Sequence, residues 1–365
     1  MTRFFQSMTA LAVISAMGTA ASAQDRVVNV YNWSDYIDES ILADFTEETG
    51  IKVVYDVFDS NEVLETKLLA GGTGYDVVVP TGTFLARQIE AGVFQALDKS
   101  KLPNLENMWD AIEARVEEYD PGNDYSINYM WGTTGIGINV EKVTEALGED
   151  GPLDSWSMVM DADNLAKLAD CGVHFLNAPT EIIPAALNFL GKDPDSKDTD
   201  EIKVAAEHLM TLRESVQKFH SSEYINALAN GDICIAIGWS GDILQARDRA
   251  AEADNGVTVE YVIPSEGALM WFDQMAIPAD APHLEEAHEF LNYIMRPDVM
   301  AKASNYVYYA NGNLASQELL NDDVIGDPAI YPTAETVENL YTVTTNDPRT
   351  QRVVTREWTR VTTGQ

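Results

Sequence analysis

The chain has 365 residues, of which 45% are hydrophobic, a fraction that is ordinary for a globular protein. A chain of this length is too long for one ordinary hydrophobic core, so we expect two domains. Its formal net charge of −36 at pH 7 excludes nucleic acids and anionic membrane surfaces as partners, because both are polyanions, whereas cationic ligands would be attracted. The acidic residues are scattered rather than gathered in a tail, so a solvated acidic surface suited to a salty habitat is the other explanation of this charge.

The amino-terminal segment has the three parts of a secretory signal peptide. Arg3 lies in a short first region, an apolar run follows from about Met8 to Ala20, and small residues precede Gln24. The apolar run is too short to remain as a membrane-spanning helix. We therefore expect residues 1–23 to be removed by cleavage after Ala23 and the mature chain to be exported. We expect no lipid anchor, because Gln24 is not a cysteine.

Strand-like and helix-like segments alternate in the first half of the mature chain. "RVVNVYNW", "IKVVYDVF" and "YDVVVP" are rich in β-branched residues, as strands are. Between them, "DESILADFTEETG" and "SNEVLETKLLAGG" begin with capping residue types, carry apolar residues at helical spacing and end at glycine. This order predicts βαβ units and a doubly wound, parallel sheet.

The second half repeats the alternation without a linker between domains. "VHFLNAP", "DICIAIGW", "VTVEYVIP" and "QMAIPA" are strand-like, and "EEAHEFLNYIMRPDVMAKAS" is a helix interrupted by Pro297. Two lobes without a linker indicate that the chain crosses between them more than once, which gives a hinged cleft. We assign residues 24–131 plus 253–320 to an N-terminal lobe and residues 132–252 plus 321–365 to a C-terminal lobe.

The chain contains two cysteines, Cys171 and Cys234. In an exported protein an even number of cysteines is typical of a disulfide. Two buried free thiols are the alternative, and composition alone leaves both open.

Aromatic and acidic side chains recur together just after the predicted strands, which is where open α/β sheets bind ligands. The stretches concerned contain no Lys or Arg, and they supply Trp33-Ser34-Asp35-Tyr36, Thr81, Glu181, Trp239 with Asp242, Trp271 with Asp273, and Tyr309. Carboxylates that converge in a cleft without a basic partner need a positive charge from the ligand. Aromatic faces attract cations and pack against methylene groups. The pattern therefore predicts a site for an alkyl chain with ammonium ends, the chemistry of linear polyamines.

Each of these residues also has an ordinary structural explanation. A single Trp or Tyr packs in a core more often than it binds a ligand, and Asp35 could cap the helix that follows it. "GWSGD" (238–242) is similar to the nucleophile elbow of hydrolases but has Asp242 where that motif needs glycine. The five histidines lack zinc or catalytic spacing, so we expect neither an enzyme nor a metal site. Binding proteins for amino acids, sugars or ferric ion are the nearer alternatives, although an amino-acid site needs an Arg.

Longer stretches resemble a known family. "YNWSDYI", "KVVYDVFDSNEVLE", "DVVVPTGTFLARQI", "YMWGTTGIGIN" and "LANGDICIAIGWSGD" are similar to the periplasmic polyamine-binding proteins of ABC importers, most closely the putrescine and spermidine branch, over essentially the whole mature chain. The resemblance implies an α/β, two-lobed periplasmic-binding-protein fold, in which each lobe is a mostly parallel sheet flanked by helices around a hinged cleft. It also implies a periplasmic monomer without a cofactor, which delivers its ligand to inner-membrane permease subunits, and it favours a Cys171–Cys234 disulfide.

The resemblance assigns roles to particular residues. Aromatic residues of the family line the cleft and carboxylates hold the terminal amines, and the matching residues here are Trp33, Ser34, Asp35, Tyr36, Thr81, Glu181, Trp239, Asp242, Trp271, Asp273 and Tyr309. Family members have Phe or Trp at position 271, and the larger indole leaves spermidine open beside putrescine. Another cationic amine, such as agmatine, is the remaining alternative ligand.

Overall fold

The structure is a computed structural model that describes residues 26–365. The predicted signal peptide and its cleavage after Ala23 lie outside the described residues. No helix of residues 26–365 combines the length and the apolar character needed to cross a membrane.

Ten strands occur in the described chain: β1 (Val27–Trp33), β2 (Lys52–Phe58), β3 (Val77–Val78), β4 (Ser126–Asn139), β5 (Val173–Phe175), β6 (Lys218–Phe219), β7 (Ile235–Trp239), β8 (Val259–Val262), β9 (Leu269–Ala276) and β10 (Ala310–Asn311). The helices of the same residues are α1 (Glu39–Thr49), α2 (Asn61–Ala70), α3 (Gly82–Glu90), α4 (Asp110–Val116), α5 (Val140–Leu147), α6 (Ser157–Met160), α7 (Ala162–Leu168), α8 (Pro179–Phe189), α9 (Thr199–Leu212), α10 (Tyr224–Ala229), α11 (Ser240–Ala253), α12 (Leu284–Ile294), α13 (Pro297–Val307), α14 (Asp322–Ile325), α15 (Ala334–Asn339) and α16 (Pro348–Thr363).

Several helices begin and end at the residues that the sequence predicts. Asp38 caps α1 and Ser60 caps α2, each by accepting a hydrogen bond from a backbone N–H of the first turn. Helix α1 ends at Gly50, whose φ of 70° lies in the left-handed region that glycine adopts without strain. Pro297 is the first residue of α13, where its missing N–H removes no helical hydrogen bond. The apolar segment around it therefore forms two helices, α12 and α13.

The strands form a mixed sheet in the order β2-β1-β3-β9-β4-β7-β5-β6, with β8 and β10 also paired to β4. Strand β1 is parallel to β2 and β3, and β5 is parallel to β6 and β7. Every pair that involves β4 or β9 is antiparallel. The α/β class is confirmed. The prediction of a mostly parallel sheet in each lobe needs correction, because β4 and β9 at the centre are antiparallel to their neighbours.

Strand β4 connects the two halves of the molecule. All fourteen of its residues are buried; its first part pairs with β9 and β10, and its second part pairs with β7 and β8. Gly135 and Gly137 permit close packing there, because a Cβ on Gly135 would lie 2.5 Å from the carbonyl oxygen of Val262. A buried, glycine-containing strand is thus shared by both lobes.

Two large apolar cores lie on either side of this strand. The first contains buried side chains of β1, β3, α12 and α13, and the second contains those of β5, β7, α8, α9 and α16. A smaller cluster, which includes Trp131, Leu244 and Phe272, joins elements from both sides. The predicted lobe boundaries stay a prediction. The contacts of β8 favour moving one of them, because Val259 packs in the second core although residues 253–320 are assigned to the first lobe.

Cys171 and Cys234 form a disulfide, with Cα atoms 5.4 Å apart. It ties the turn before β5 to the residue before β7 in the second core. The predicted pairing is confirmed, and the alternative of two free thiols does not hold.

Candidate functional site

Loops at strand ends from both sides of β4 enclose a cavity of about 440 Å³, counted to the solvent at its mouth. No Lys or Arg is among the residues that line it, which are Trp33, Ser34, Tyr36, Asp59, Thr81, Glu181, Ser221, Trp239, Asp242, Trp271, Asp273 and Tyr309. The structure therefore brings together every predicted site residue except Asp35. It adds Asp59 and Ser221, which the sequence reasoning did not single out.

Asp273 lies in β9, and its side chain is buried, with only 4% of the residue exposed. Its carboxylate accepts hydrogen bonds from the Thr81 hydroxyl at 2.6 Å and the Tyr36 hydroxyl at 2.8 Å. Asn61 in turn donates to the Thr81 hydroxyl oxygen at 2.9 Å, which orients that hydroxyl towards the carboxylate. Removal from water raises the pKa of Asp273 to about 7, in spite of these two hydrogen bonds. Both available donors are neutral, so the negative charge has no counter-charge at this point.

Asp242 lies in the first turn of α11, directly after β7. Its carboxylate accepts a hydrogen bond from Tyr309 and another from Tyr224, each at 2.8 Å. The Asp242 backbone N–H donates to the Tyr309 hydroxyl oxygen at 3.1 Å, so the phenol and the aspartate are joined twice. Burial raises the pKa of Asp242 to about 6.

Glu181 lies in the first turn of α8 and is buried. It accepts a hydrogen bond from the indole N–H of Trp239 at 3.1 Å and another from the hydroxyl of Thr134. Burial, with a smaller contribution from the negative charge of Asp273, raises the pKa of Glu181 to about 7. Glu181, Asp242 and Asp273 are called the cavity carboxyl groups below.

Aromatic rings form the walls between the cavity carboxyl groups. The ring centroids of Trp33 and Trp239 lie 5.6 Å apart, those of Tyr36 and Tyr309 lie 5.2 Å apart, and those of Trp271 and Tyr309 lie 5.3 Å apart. The Trp33 indole is fixed by a 2.9 Å hydrogen bond to the carbonyl of Val79. The buried indole nitrogen of Trp271 has no hydrogen-bond partner. These walls present apolar faces between acidic groups, an arrangement that accommodates methylene groups between two cations.

Ser34 and Asp59 lie at the edge of the cavity and are joined by a 3.0 Å hydrogen bond from the serine hydroxyl. Asp59 follows β2 directly, so the rule that identified the other strand-end carboxylates would have identified it too. Ser221 follows the two-residue strand β6, for which the sequence gives no strong signal.

The prediction that Asp35 is a ligand-binding carboxylate needs correction. Its side chain is 47% exposed and forms a 2.9 Å ion pair with Arg249 of α11, and it does not line the cavity. Its backbone has a φ of 53°, so residue 35 turns the chain between Ser34 and Tyr36. The charge of Asp35 is thus already neutralised by the protein. The alternative that Asp35 caps the next helix fails as well, because Asp38 is the cap.

The cavity supplies charge and apolar surface but no metal site. Within residues 26–365 no group of three His, Cys, Asp or Glu side chains is arranged to hold a metal ion. None of the five histidines lines the cavity, and Ser240 of the "GWSGD" stretch is buried beside the backbone of Thr133. The arrangement therefore favours binding of a cation over nucleophilic chemistry.

Comparisons with known proteins agree with this geometry. The sequence profile described as bacterial extracellular solute-binding protein matches residues 40–333. The putrescine-binding periplasmic protein SpuD of Pseudomonas aeruginosa is 52% identical over the full length of both chains. The putrescine-binding periplasmic protein PotF of Escherichia coli is 53% identical and covers 96% of this chain and 95% of its own.

A solved structure shows the same fold. The spermidine/putrescine ABC transporter substrate-binding protein PotD of Streptococcus pneumoniae aligns with a TM-score of 0.74 at 29% identity, over 92% of this chain and 98% of its own. The likeness confirms the predicted α/β fold of the two-lobed periplasmic binding proteins.

Proposed function

Because the chain belongs to the bacterial extracellular solute-binding protein family, we propose that it binds a linear polyamine, putrescine or spermidine, and delivers it to an ABC permease of the inner membrane. The observation that carries the proposal is a cavity with three buried carboxyl groups, aromatic walls and no basic lining residue. Such a cavity is electrostatically complete only when the ligand brings the positive charge.

Each part of a polyamine has a partner in the proposed complex. One ammonium group pairs with Asp273, and another pairs with Asp242 or Glu181 on the opposite side of the cavity. The methylene groups lie against Trp33, Trp239 and the other aromatic walls, where each cation–aromatic contact contributes about 0.5–2 kcal/mol. Ser34 and Thr81 provide hydroxyl groups near the ammonium ends. Asp35 has no part in this proposal, since Arg249 already pairs with it.

Binding is proposed to close the cleft. The cavity is lined from both sides of β4. Elements around the first core supply Tyr36, Thr81 and Asp273, and elements of the second core supply Glu181 and Trp239. A ligand can contact both sets together only when the lobes meet, so the closed state gains these contacts and its population rises. Closure about β4 and the neighbouring crossings would then present a loaded monomer to the permease in the periplasm.

Other ligand classes fit the cavity less well. An amino acid needs a basic partner for its α-carboxylate, and the lining has none. A sugar would leave the cavity carboxyl groups without a counter-charge. Agmatine carries a guanidinium and an ammonium on an alkyl chain, so it remains the second candidate. We propose no catalytic role, because the lining contains no histidine or cysteine beside a nucleophile.

The proposal is tested by calorimetric titration of the unliganded protein at pH 8. The ligands are putrescine, longer diamines, spermidine, agmatine, arginine and glucose. We expect saturable binding with a stoichiometry of one for at least one diamine or spermidine, and none for glucose. Binding of arginine or glucose in preference to every polyamine would overturn the proposal.

A further inference from the structure

Tyr308 has a backbone conformation that a bulky residue rarely adopts. Its φ is 58° and its ψ is 30°, in the left-handed region. The other positive-φ residues of the described chain, glycines aside, are Asp35, Asn123 and Asp254. Short Asp and Asn side chains tolerate this region, whereas a tyrosine is strained there. Strain of this kind persists where the surrounding structure requires it, and it clusters at functional sites.

The left-handed turn directs two adjacent tyrosines onto one helix. The Tyr308 N–H donates to the Ser304 carbonyl at 2.9 Å and ends α13. Beyond the turn, Tyr309 donates to Asp242 in the first turn of α11. Its ring packs so closely on Gly241 that a Cβ there would lie 2.5 Å from the ring. The Tyr308 hydroxyl donates to Asp248, nearly two turns further along α11.

The two helices belong to different apolar cores. Val299, Met300 and Val307 of α13 are buried in the first core, whereas Ile243 and Ala246 of α11 are buried in the second. The hydrogen bond between Tyr308 and Asp248 therefore joins the two sides of the molecule.

Asp248 is available as an acceptor because its basic neighbours are engaged elsewhere. Arg247 forms a 2.9 Å ion pair with Asp327, and Arg249 forms one with Asp35. Tyr308 is half-buried against the smaller cluster that joins the two sides, and it does not line the cavity. The Tyr308 hydroxyl is therefore placed to stabilise the closed arrangement of the two lobes without contacting a ligand.

We propose that Tyr308 is a positioning residue for polyamine binding, and we call its hydrogen bond to Asp248 the latch. The latch holds α11 against the end of α13 in the closed state, and the turn at Tyr308 keeps Tyr309 on Asp242 as a wall of the cavity. This inference rests on the proposed function, because closure matters for affinity only if a ligand is captured between the lobes. A contact that favours the closed state, with or without ligand, slows ligand release and leaves ligand selection unchanged.

The test is Tyr308→Phe, which removes the hydroxyl and keeps the ring. We expect about tenfold weaker binding of both putrescine and spermidine, by the same factor for each, because a hydrogen bond to a charged acceptor is lost. Stopped-flow measurements should assign most of the loss to a faster dissociation rate. Tyr306→Phe is the matched control: this tyrosine lies in α13 only two residues earlier and is 52% exposed, so affinity should not change.

A double-mutant cycle separates the latch from a general packing defect. In an Asp248→Ala background, Tyr308→Phe should cost no further affinity, because its acceptor is already absent. Equal affinity of Tyr308→Phe and the unaltered chain, or full additivity with Asp248→Ala, would overturn the latch.

Failure of the proposed function gives a different result. If the unaltered chain binds no polyamine, that function fails, and small-angle scattering of the unliganded proteins decides on the latch alone. A larger radius of gyration for Tyr308→Phe then supports the latch, and equal radii overturn it.

Discussion

Asp273→Asn is expected to weaken polyamine binding while stabilising the unliganded protein. The substitution keeps the shape of a side chain that is only 4% exposed and removes its charge. The two hydroxyl groups that now donate to the carboxylate, those of Thr81 and Tyr36, can also accept from an amide. The packing of β9 therefore stays intact, and the change acts on the charge.

The loss of affinity follows from the missing ion pair. A carboxylate and an ammonium about 4 Å apart interact by about 4 kcal/mol at an effective dielectric constant of 20. Desolvation of the ammonium offsets part of this, and hydrogen bonds to charged groups contribute about 1.5–3 kcal/mol in net terms. We therefore expect Asp273→Asn to raise the Kd for putrescine by about thirtyfold at pH 8.

The gain in stability has the opposite origin. Burial raises the pKa of Asp273 from 3.8 to about 7 in the folded chain. The folded state therefore holds the proton more tightly than the unfolded state, and the contribution of Asp273 to stability falls as the pH rises from about 4 to about 7. Above pH 7 the ionised carboxylate destabilises the unliganded fold by roughly 4 kcal/mol. Asn has no such penalty, so the variant should melt a few degrees higher at pH 8 and lose this advantage near pH 4.

Calorimetric titration and thermal melting at pH 8 and pH 4.5, with and without putrescine, measure both effects. Glu113→Gln is the matched control, because burial also raises the pKa of Glu113 to about 7, but this residue does not line the cavity. It should show the shift in stability without a change in affinity. The reasoning is refuted if Asp273→Asn binds putrescine within threefold of the unaltered chain, or if it melts lower than the unaltered chain without ligand at pH 8.

Three further outcomes are expected. Putrescine affinity should fall as the pH drops from 8 to 5, because the cavity carboxyl groups have pKa values of about 6 to 7 and a cation binds their ionised form. Binding near pH 7 should release protons for the same reason, and calorimetric titration in two buffers of different ionisation enthalpy measures the number released. Gly241→Ala should weaken binding at least tenfold in the same assay, since its Cβ would lie 2.5 Å from the ring of Tyr309. Replacing Cys171 and Cys234 together by serine should lower the melting temperature by several degrees, because a disulfide that closes a loop with a sequence separation of 63 residues stabilises the folded state by about 4 kcal/mol. Affinity at 20 °C should stay unchanged.

The site was largely predictable because one rule of topology covers most of it. Residues that follow parallel strands meet at one edge of a sheet, so Trp33 and Thr81 could be grouped before any distance was known. Trp239 follows β7, which runs opposite to β1 and β3, and its ring centroid lies 5.6 Å from that of Trp33. The same rule applied consistently would have added Asp59. Asp35 was assigned wrongly because its neutralising partner, Arg249, lies 214 residues away, and no local pattern reveals such a pairing.

The direction of the central strands was not predictable in the same way. A buried apolar strand such as β4 has the same residue pattern whether its neighbours are parallel or antiparallel. Only the pairing of β9 and β10 with its first part, and of β7 and β8 with its second, shows that β4 runs through both lobes. The strained backbone of Tyr308 was equally hidden, since a tyrosine gives no sequence signal for a left-handed turn.

Charge balance connects the cavity with its proposed ligand class. Three buried carboxyl groups facing a diamine leave one negative charge over, which a bound proton can neutralise because two of the groups have pKa values near 7. A triamine would instead neutralise all three. Both ligands therefore meet the electrostatic requirement, whereas neutral sugars meet none of it. Selection among polyamines then depends on how the aromatic walls, and above all the indole of Trp271, fit the length and bend of the alkyl chain.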